Sequence, residues 1–181
     1  MIHHVSIPAR EPERVAKVLV ELMGGRYFPF GPIEGAFLAS SGDTHGTLIE
    51  VYPEHLTLNM PDPNGPVAYG QNQPVLFGKY EVVPQAWPFH VHLSTALSTE
   101  QVEQIGAREG WRAVVIARGR KGHKPAFHVI EFWVENRLMF ELAPTAMVDE
   151  YKGFVDGEMQ ALYSDPEERR LSHATHVQAS A

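Results

Sequence analysis

Apolar and polar positions alternate from Ile2 to Ala9, the two-residue period of a strand with one buried face. Pro12 then opens a helix in which Val15, Val18, Leu19 and Leu22 fall on one side, and Gly24-Gly25 ends it as a left-handed cap. Tyr27 to Phe30, Ala36 to Ser40 and Thr47 to Tyr52 read as three short strands, the last two joined by the turn-rich Ser41-Gly42-Asp43. The same order then returns. Phe89 to Thr95 is a strand, Ser98-Thr99-Glu100 starts a helix carrying Val102 and Ile105, and Gly110 stops it. Trp111 to Ala117, Ala126 to Val134 and Leu138 to Leu142 supply three more strands.

This pattern predicts an α+β protein of two tandem units, 1–53 and 89–144. They are separated by a connector, 54–88, and followed by a helix and tail, 145–181. The connector carries Pro61, Pro63, Pro66, Pro74, Pro84 and Pro88, so it is expected to be irregular, with at most a short strand near Val75 to Phe77. Beyond Pro144, the positions Met147, Val148, Tyr151, Phe154, Val155, Met159 and Leu162 follow a helical period. That stripe reads as a packing helix able to cover a cleft or meet a second subunit. The polar stretch from Ser164 to Ala181 is expected to fray.

The two units also share wording. His4-Val5-Ser6-Ile7 is echoed by His90-Val91-His92-Leu93, and Ile49-Glu50-Val51-Tyr52-Pro53 by Phe140-Glu141-Leu142-Ala143-Pro144. His and Glu are 46 positions apart in the first copy and 51 in the second, and Gly24 and Gly110 each follow their histidine by 20. In strands of this parity Val5, Ile7, Ala9, Ile49, Val51, Val91, Leu93, Phe140 and Leu142 face the helix of their own unit. His4, Glu50, His90 and Glu141 face away from it. If the helix-free faces curl toward each other, these four converge in a cleft. They would then hold one divalent ion, zinc, nickel, cobalt, manganese or iron, at roughly 2.0–2.2 Å per ligand. The pairing is open between one chain and a homodimer.

Composition narrows the alternatives. With 181 residues, 44% of them hydrophobic and 20% charged, the chain has enough material for a full core. The net charge of −7 argues against nucleic acid as a partner, since phosphates need a basic face. Without cysteine, any metal must be held by His, Asp or Glu, and thiol nucleophiles are excluded. No signal-peptide pattern opens the sequence and no apolar run is long enough for a membrane span, so a cytoplasmic protein is expected. Phosphate-binding glycine loops, nucleophile elbows and HExxH are missing.

At His4, Glu50, His90 and Glu141 the chain resembles the vicinal oxygen chelate superfamily, which includes glyoxalase I, methylmalonyl-CoA epimerase, extradiol dioxygenases and the fosfomycin- and bleomycin-resistance proteins. The resemblance spans roughly residues 2 to 144. It implies paired βαβββ modules forming a curled mixed sheet around a metal cleft, with ligands on the first and fourth strands of each module. A full His/Glu/His/Glu set is most similar to glyoxalase I. This implies lyase or isomerase chemistry next to a carbonyl of a small substrate, with Glu50 or Glu141, the latter preferred, doubling as base. The set His4, His90 and Glu141 would also serve an extradiol-type dioxygenase, and a non-catalytic small-molecule binding or resistance protein is the reading from another class.

Strand parity adds His92 and Ser94 to the face of His90. A two-residue turn at Glu135-Asn136 would place His128, Ile130, Phe132 and Met139 on the face of Glu141, so His92, His128, Phe132 and Met139 are expected to line the substrate cleft. Arg118, Arg120, Lys121 and Lys124 make a basic loop, read as a solvated hairpin tip in preference to a grip on a carboxylate, phosphate or thioester. His3, His45, His55, His123, His173 and His176 receive no role.

Overall fold

The computed structural model describes residues 2–59, 77–119 and 124–159. Pro61, Pro63, Pro66, Pro74, Arg120, Lys121, His123, Leu162 and the whole 164–181 tail lie outside them. The first unit comprises strand β1 (His4–Ala9), helix α1 (Pro12–Met23), and strands β2 (Arg26–Pro29), β3 (Phe37–Ser40) and β4 (Leu48–Pro53). The connector carries β5 (Leu56–Leu58) and β6 (Phe77–Lys79). The second unit comprises β7 (His90–Ser94), α2 (Thr99–Glu109), β8 (Ala113–Arg118), β9 (Phe127–Val134) and β10 (Leu138–Ala143). Helix α3 (Thr145–Gly153) follows and runs into a π-helical stretch, Phe154–Met159.

The two units have the same topology. Their sheets have the orders β1-β4-β3-β2 and β7-β10-β9-β8, with the outer strand of each parallel to the last strand of its unit. A parallel pair requires a crossover, which α1 and α2 supply. The strand parity read from the sequence holds on the core side: Ile7, Ala9, Ile49, Val51, Phe140 and Leu142 are buried, while Val5, Val91 and Leu93 are half-buried against the same core. Among the described residues the strands make two four-stranded mixed sheets and one two-stranded ribbon, the α+β architecture of two tandem units that the sequence predicts.

Local chemistry explains the helix ends. Pro12 starts α1, whose N-terminus is met from the second unit by the Glu135 carboxylate, which accepts from the backbone N–H groups of Arg10 and Glu11 at 2.9 Å each. Ser98 and Gln101 form a reciprocal capping box on α2. Gly24 and Gly110 end the two helices at φ of 77° and 73°, a left-handed conformation in which a Cβ is unfavourable. Gly25 is required for another reason: a Cβ there would lie 1.7 Å from the Ser40 carbonyl oxygen.

The units are joined by a shared core and by polar brackets. Leu19 and Leu22 of α1 belong to one buried cluster with Val102, Ile105, Trp111 and Phe132 of the second unit. Thr95 donates a buried hydrogen bond of 2.6 Å to the Leu22 carbonyl, satisfying one of the carbonyls left open at the end of α1. Arg14 pairs with Glu109 at 2.9 Å and Arg108 with Glu21 at 2.7 Å, tying α1 to α2. The buried Arg137 donates to Glu54 and to the Pro84 carbonyl, fixing the connector to the second unit.

The connector is more regular than its prolines imply. Thr57 pairs with Gly78 in an antiparallel ribbon of β5 and β6. Helix α3 packs on β9 through Tyr151, whose ring meets Phe127 at 5.2 Å and His92 at 4.4 Å.

Candidate functional site

In the first unit the register sets Glu50 of β4 level with Ser6 of β1, and His4 two residues before Ser6. In the second unit Glu141 of β10 is level with His92 of β7, and His90 lies two residues before it. The offset is the same in both copies. His4 and His90 are exposed at the starts of their strands, Glu50 is half-buried and Glu141 is buried.

Each carboxylate is held by one of its two oxygens. Glu50 Oε2 accepts from the Ser6 and Tyr52 hydroxyls, both at 2.6 Å. Burial first, and then this bond to Glu50, push the Tyr52 hydroxyl up to about 12, so it remains a donor at neutral pH. Glu141 Oε1 accepts from Arg118 Nε at 3.0 Å and Nη2 at 2.8 Å. The same Nη2 reaches Glu131 Oε1 at 2.7 Å, and the Trp133 indole N–H donates to Glu131 Oε2 at 3.0 Å. Burial alone would raise the Glu131 carboxyl, but the Arg118 and Trp133 bonds outweigh it and hold the group below its ordinary value.

The other oxygens are left for a ligand. Glu141 Oε2 stands 4.0 Å from His90 Nε2. A nitrogen and an oxygen sharing one ion lie roughly 3–3.5 Å apart, somewhat closer than this pair stands. His/Glu donors suit a borderline divalent ion, so the residues present fit such a group chemically. Among the described residues no three His, Asp or Glu side chains come close enough to hold an ion together.

The expected cleft lining divides. His92 shares the face of Glu141 and packs edge-on against Tyr151, and burial lowers its imidazole, against the pull of Glu141 and together with that of His90. Met139 also shares that face, level with His90. His128 and Phe132 do not. Val134 pairs with Leu138, so three residues separate the strands, and Glu131 rather than Ile130 or Phe132 is level with Glu141. A register change of one residue moves every side chain to the opposite face. Phe132 is accordingly a fully buried core residue against Trp111. His128 bonds to Glu150 of α3, through its backbone N–H at 2.8 Å and Nδ1 at 2.9 Å.

Arg118 is the larger correction. It is a strand residue whose guanidinium reaches inward to Glu141 and Glu131, and not part of a solvated tip. Ser6, Tyr52, Glu131 and Trp133 escaped sequence reasoning. The first two share strand parity with His4 and Glu50 and were open to detection; the latter two depended on the β9–β10 register.

No family model and no curated protein matches the chain. Solved structures do. The fosfomycin resistance protein FosX from Mesorhizobium loti is 12% identical, with 83% of this chain and 96% of that one covered and a TM-score of 0.47. FosX from Listeria monocytogenes, complexed with Mn(II) and sulfate ion, is 11% identical over 85% and 96%, with a TM-score of 0.45. Lactoylglutathione lyase from Agrobacterium tumefaciens is 7% identical over 81% and 94%, with a TM-score of 0.45. At these values the likeness concerns the path of the chain alone and assigns this protein neither a ligand nor an activity.

Proposed function

We propose that the chain is a metal-dependent enzyme of vicinal oxygen chelate type, carrying out lyase or isomerase chemistry next to a carbonyl of a small substrate. The ion would be held by His4 and Glu50 of one copy and His90 and Glu141 of a second. The supporting observation is that each carboxylate is anchored through one oxygen. Such outer partners orient a ligand and leave its other oxygen free.

A divalent ion bound there would supply Lewis-acid polarisation to neighbouring oxygens of the substrate. The chain's own residues do the rest. Arg118 fixes the rotamer of Glu141 so that Oε2 is the working oxygen, and Ser6 with Tyr52 leaves Oε1 of Glu50 in the same role. Either oxygen can take a proton from carbon beside a carbonyl, and Glu141, standing beside His90, is the preferred base. His92, packed against Tyr151, walls the Glu141 side from water.

A second reading has its own support. Glu50 Oε2 is satisfied by two short hydroxyl bonds without any ion, and His4, His90 and Glu141 alone form the two-His, one-carboxylate set of an iron-dependent dioxygenase. Elemental analysis of protein purified without chelators decides between them. Nickel, zinc or cobalt stoichiometric with the chain is expected; iron with catechol-dependent oxygen uptake would favour the second reading. His90→Ala should lose most of the metal, and wild-type content in that variant would overturn the ligand set. Protein that takes up no ion under any loading condition would leave a non-catalytic binder.

A further inference from the structure

Between the first sheet and the connector lies a cavity of about 240 Å³. Its floor is Ser6 and Tyr52, the two residues that hold Glu50, and its walls include Leu58 of β5, Phe77 of β6, Tyr80 and Trp87. The aromatic walls brace one another: Tyr52 meets Phe77 edge-on at 5.6 Å, and Tyr80 meets Trp87 in the same manner at 5.6 Å. Rings fixed by their neighbours form a pocket whose shape precedes the ligand.

The chemistry of the lining defines what fits. Among the described residues no Lys, Arg or His lines the cavity, so an anion finds no counter-charge there. No described Asp or Glu lines it either, and Glu50 Oε2 is covered by the Ser6 and Tyr52 hydroxyls. Those two hydroxyls spend their hydrogens on Glu50, and Thr57 donates to the Leu58 carbonyl. What remains is mainly aromatic faces and aliphatic surface. An apolar protein cavity of roughly 150 Å³ is known to admit benzene, so this one has room for a single substituted ring.

We infer that this cavity is the specificity subsite for a neutral, flat, one-ring apolar group of the substrate, seated beside the Glu50 half-site and walled by the connector. The term substrate here rests on the function proposed above; the binding itself does not require a metal. The wall lies between the two units and is built by β5, β6, Tyr80 and Trp87.

The test is a titration of chelator-treated protein with benzyl alcohol, benzoate and benzylammonium, followed through the Trp87 indole N–H signal by NMR. Benzyl alcohol should move that signal and bind about tenfold more tightly than either charged analogue, because neither charge finds a partner in the lining. Trp87→Ala identifies the indole signal by its loss. Leu58→Glu, at a position 57% exposed, should leave the circular dichroism unchanged and weaken benzyl alcohol by about tenfold. No Trp87 response to benzyl alcohol, equal or tighter binding of a charged analogue, or undiminished binding in Leu58→Glu would each overturn the inference. Metal content is a separate readout, so a failure of the metal assignment leaves this titration interpretable.

Discussion

Arg118 shows how much one side chain can carry. Its guanidinium pairs with two carboxylates facing each other across β9 and β10, one of them only 8% exposed. Removing a cation from such a cluster leaves charge without a partner, which is more damaging than never having built the pair. Because Arg118 is itself 31% exposed, solvent screens part of the loss, and Arg118→Ala should destabilise the fold by about 2 kcal/mol. Urea denaturation midpoints measure this. Adding Glu131→Gln to Arg118→Ala should recover part of the loss, because one carboxylate then remains where two stood. Arg118 was in view in the sequence, but its partners were not: a long side chain at a strand end gives no local sign of which way it turns. The equal strand offsets of His4 and Glu50 and of His90 and Glu141 were legible because the two units repeat the same wording.

At the scale of elements, strands and helices followed from period and punctuation, and the misplaced side chains trace to one hairpin. Glu135 and Asn136 both adopt left-handed backbone, at φ of 50° and 55°, and Arg137 adds a residue before pairing resumes at Leu138. A two-residue turn and a three-residue loop are nearly indistinguishable in sequence, yet they reverse which side chains face the core, and this is why Phe132 and Glu131 exchanged roles. The α1–α2 bracket carries a pH dependence. Burial works to raise the Glu109 carboxyl, but hydrogen bonds from Arg108 and Arg14 hold it below its ordinary value. A carboxylate lowered in the folded state adds stability above its ordinary range and loses it as pH falls through its folded value. Thermal midpoints of wild type and Glu109→Gln should therefore differ at neutral pH and converge as pH falls below the ordinary carboxylate range.

At the scale of the molecule, the two halves share a core, and among the described residues no three His, Asp or Glu side chains gather within one chain. If a complete site draws one unit from each of two copies, chains carrying His4→Ala and His90→Ala will complement each other. Mixed and refolded together, they should regain metal binding that neither has alone, since a mixed dimer holds one site with both histidines intact. If the halves meet within one chain, mixing restores nothing. Isothermal titration with the ion reads the difference. Among the described residues no helix is long and apolar enough to cross a membrane. The connector ribbon and its aromatic pocket were hidden in the sequence by proline, which marks where a chain cannot continue a helix or central strand but not what its neighbours pack against.

The Arg118–Glu131–Glu141 cluster also constrains how this protein can change over generations. One guanidinium and two carboxylates leave the second half-site with a single surplus negative charge, the same surplus that Glu50 brings to the first through neutral hydroxyls alone. Losing Arg118 or Glu131 singly would tip that balance, whereas losing both together would preserve it. In descendants and cousins of this chain, positions 118 and 131 should therefore be kept or surrendered as a couple.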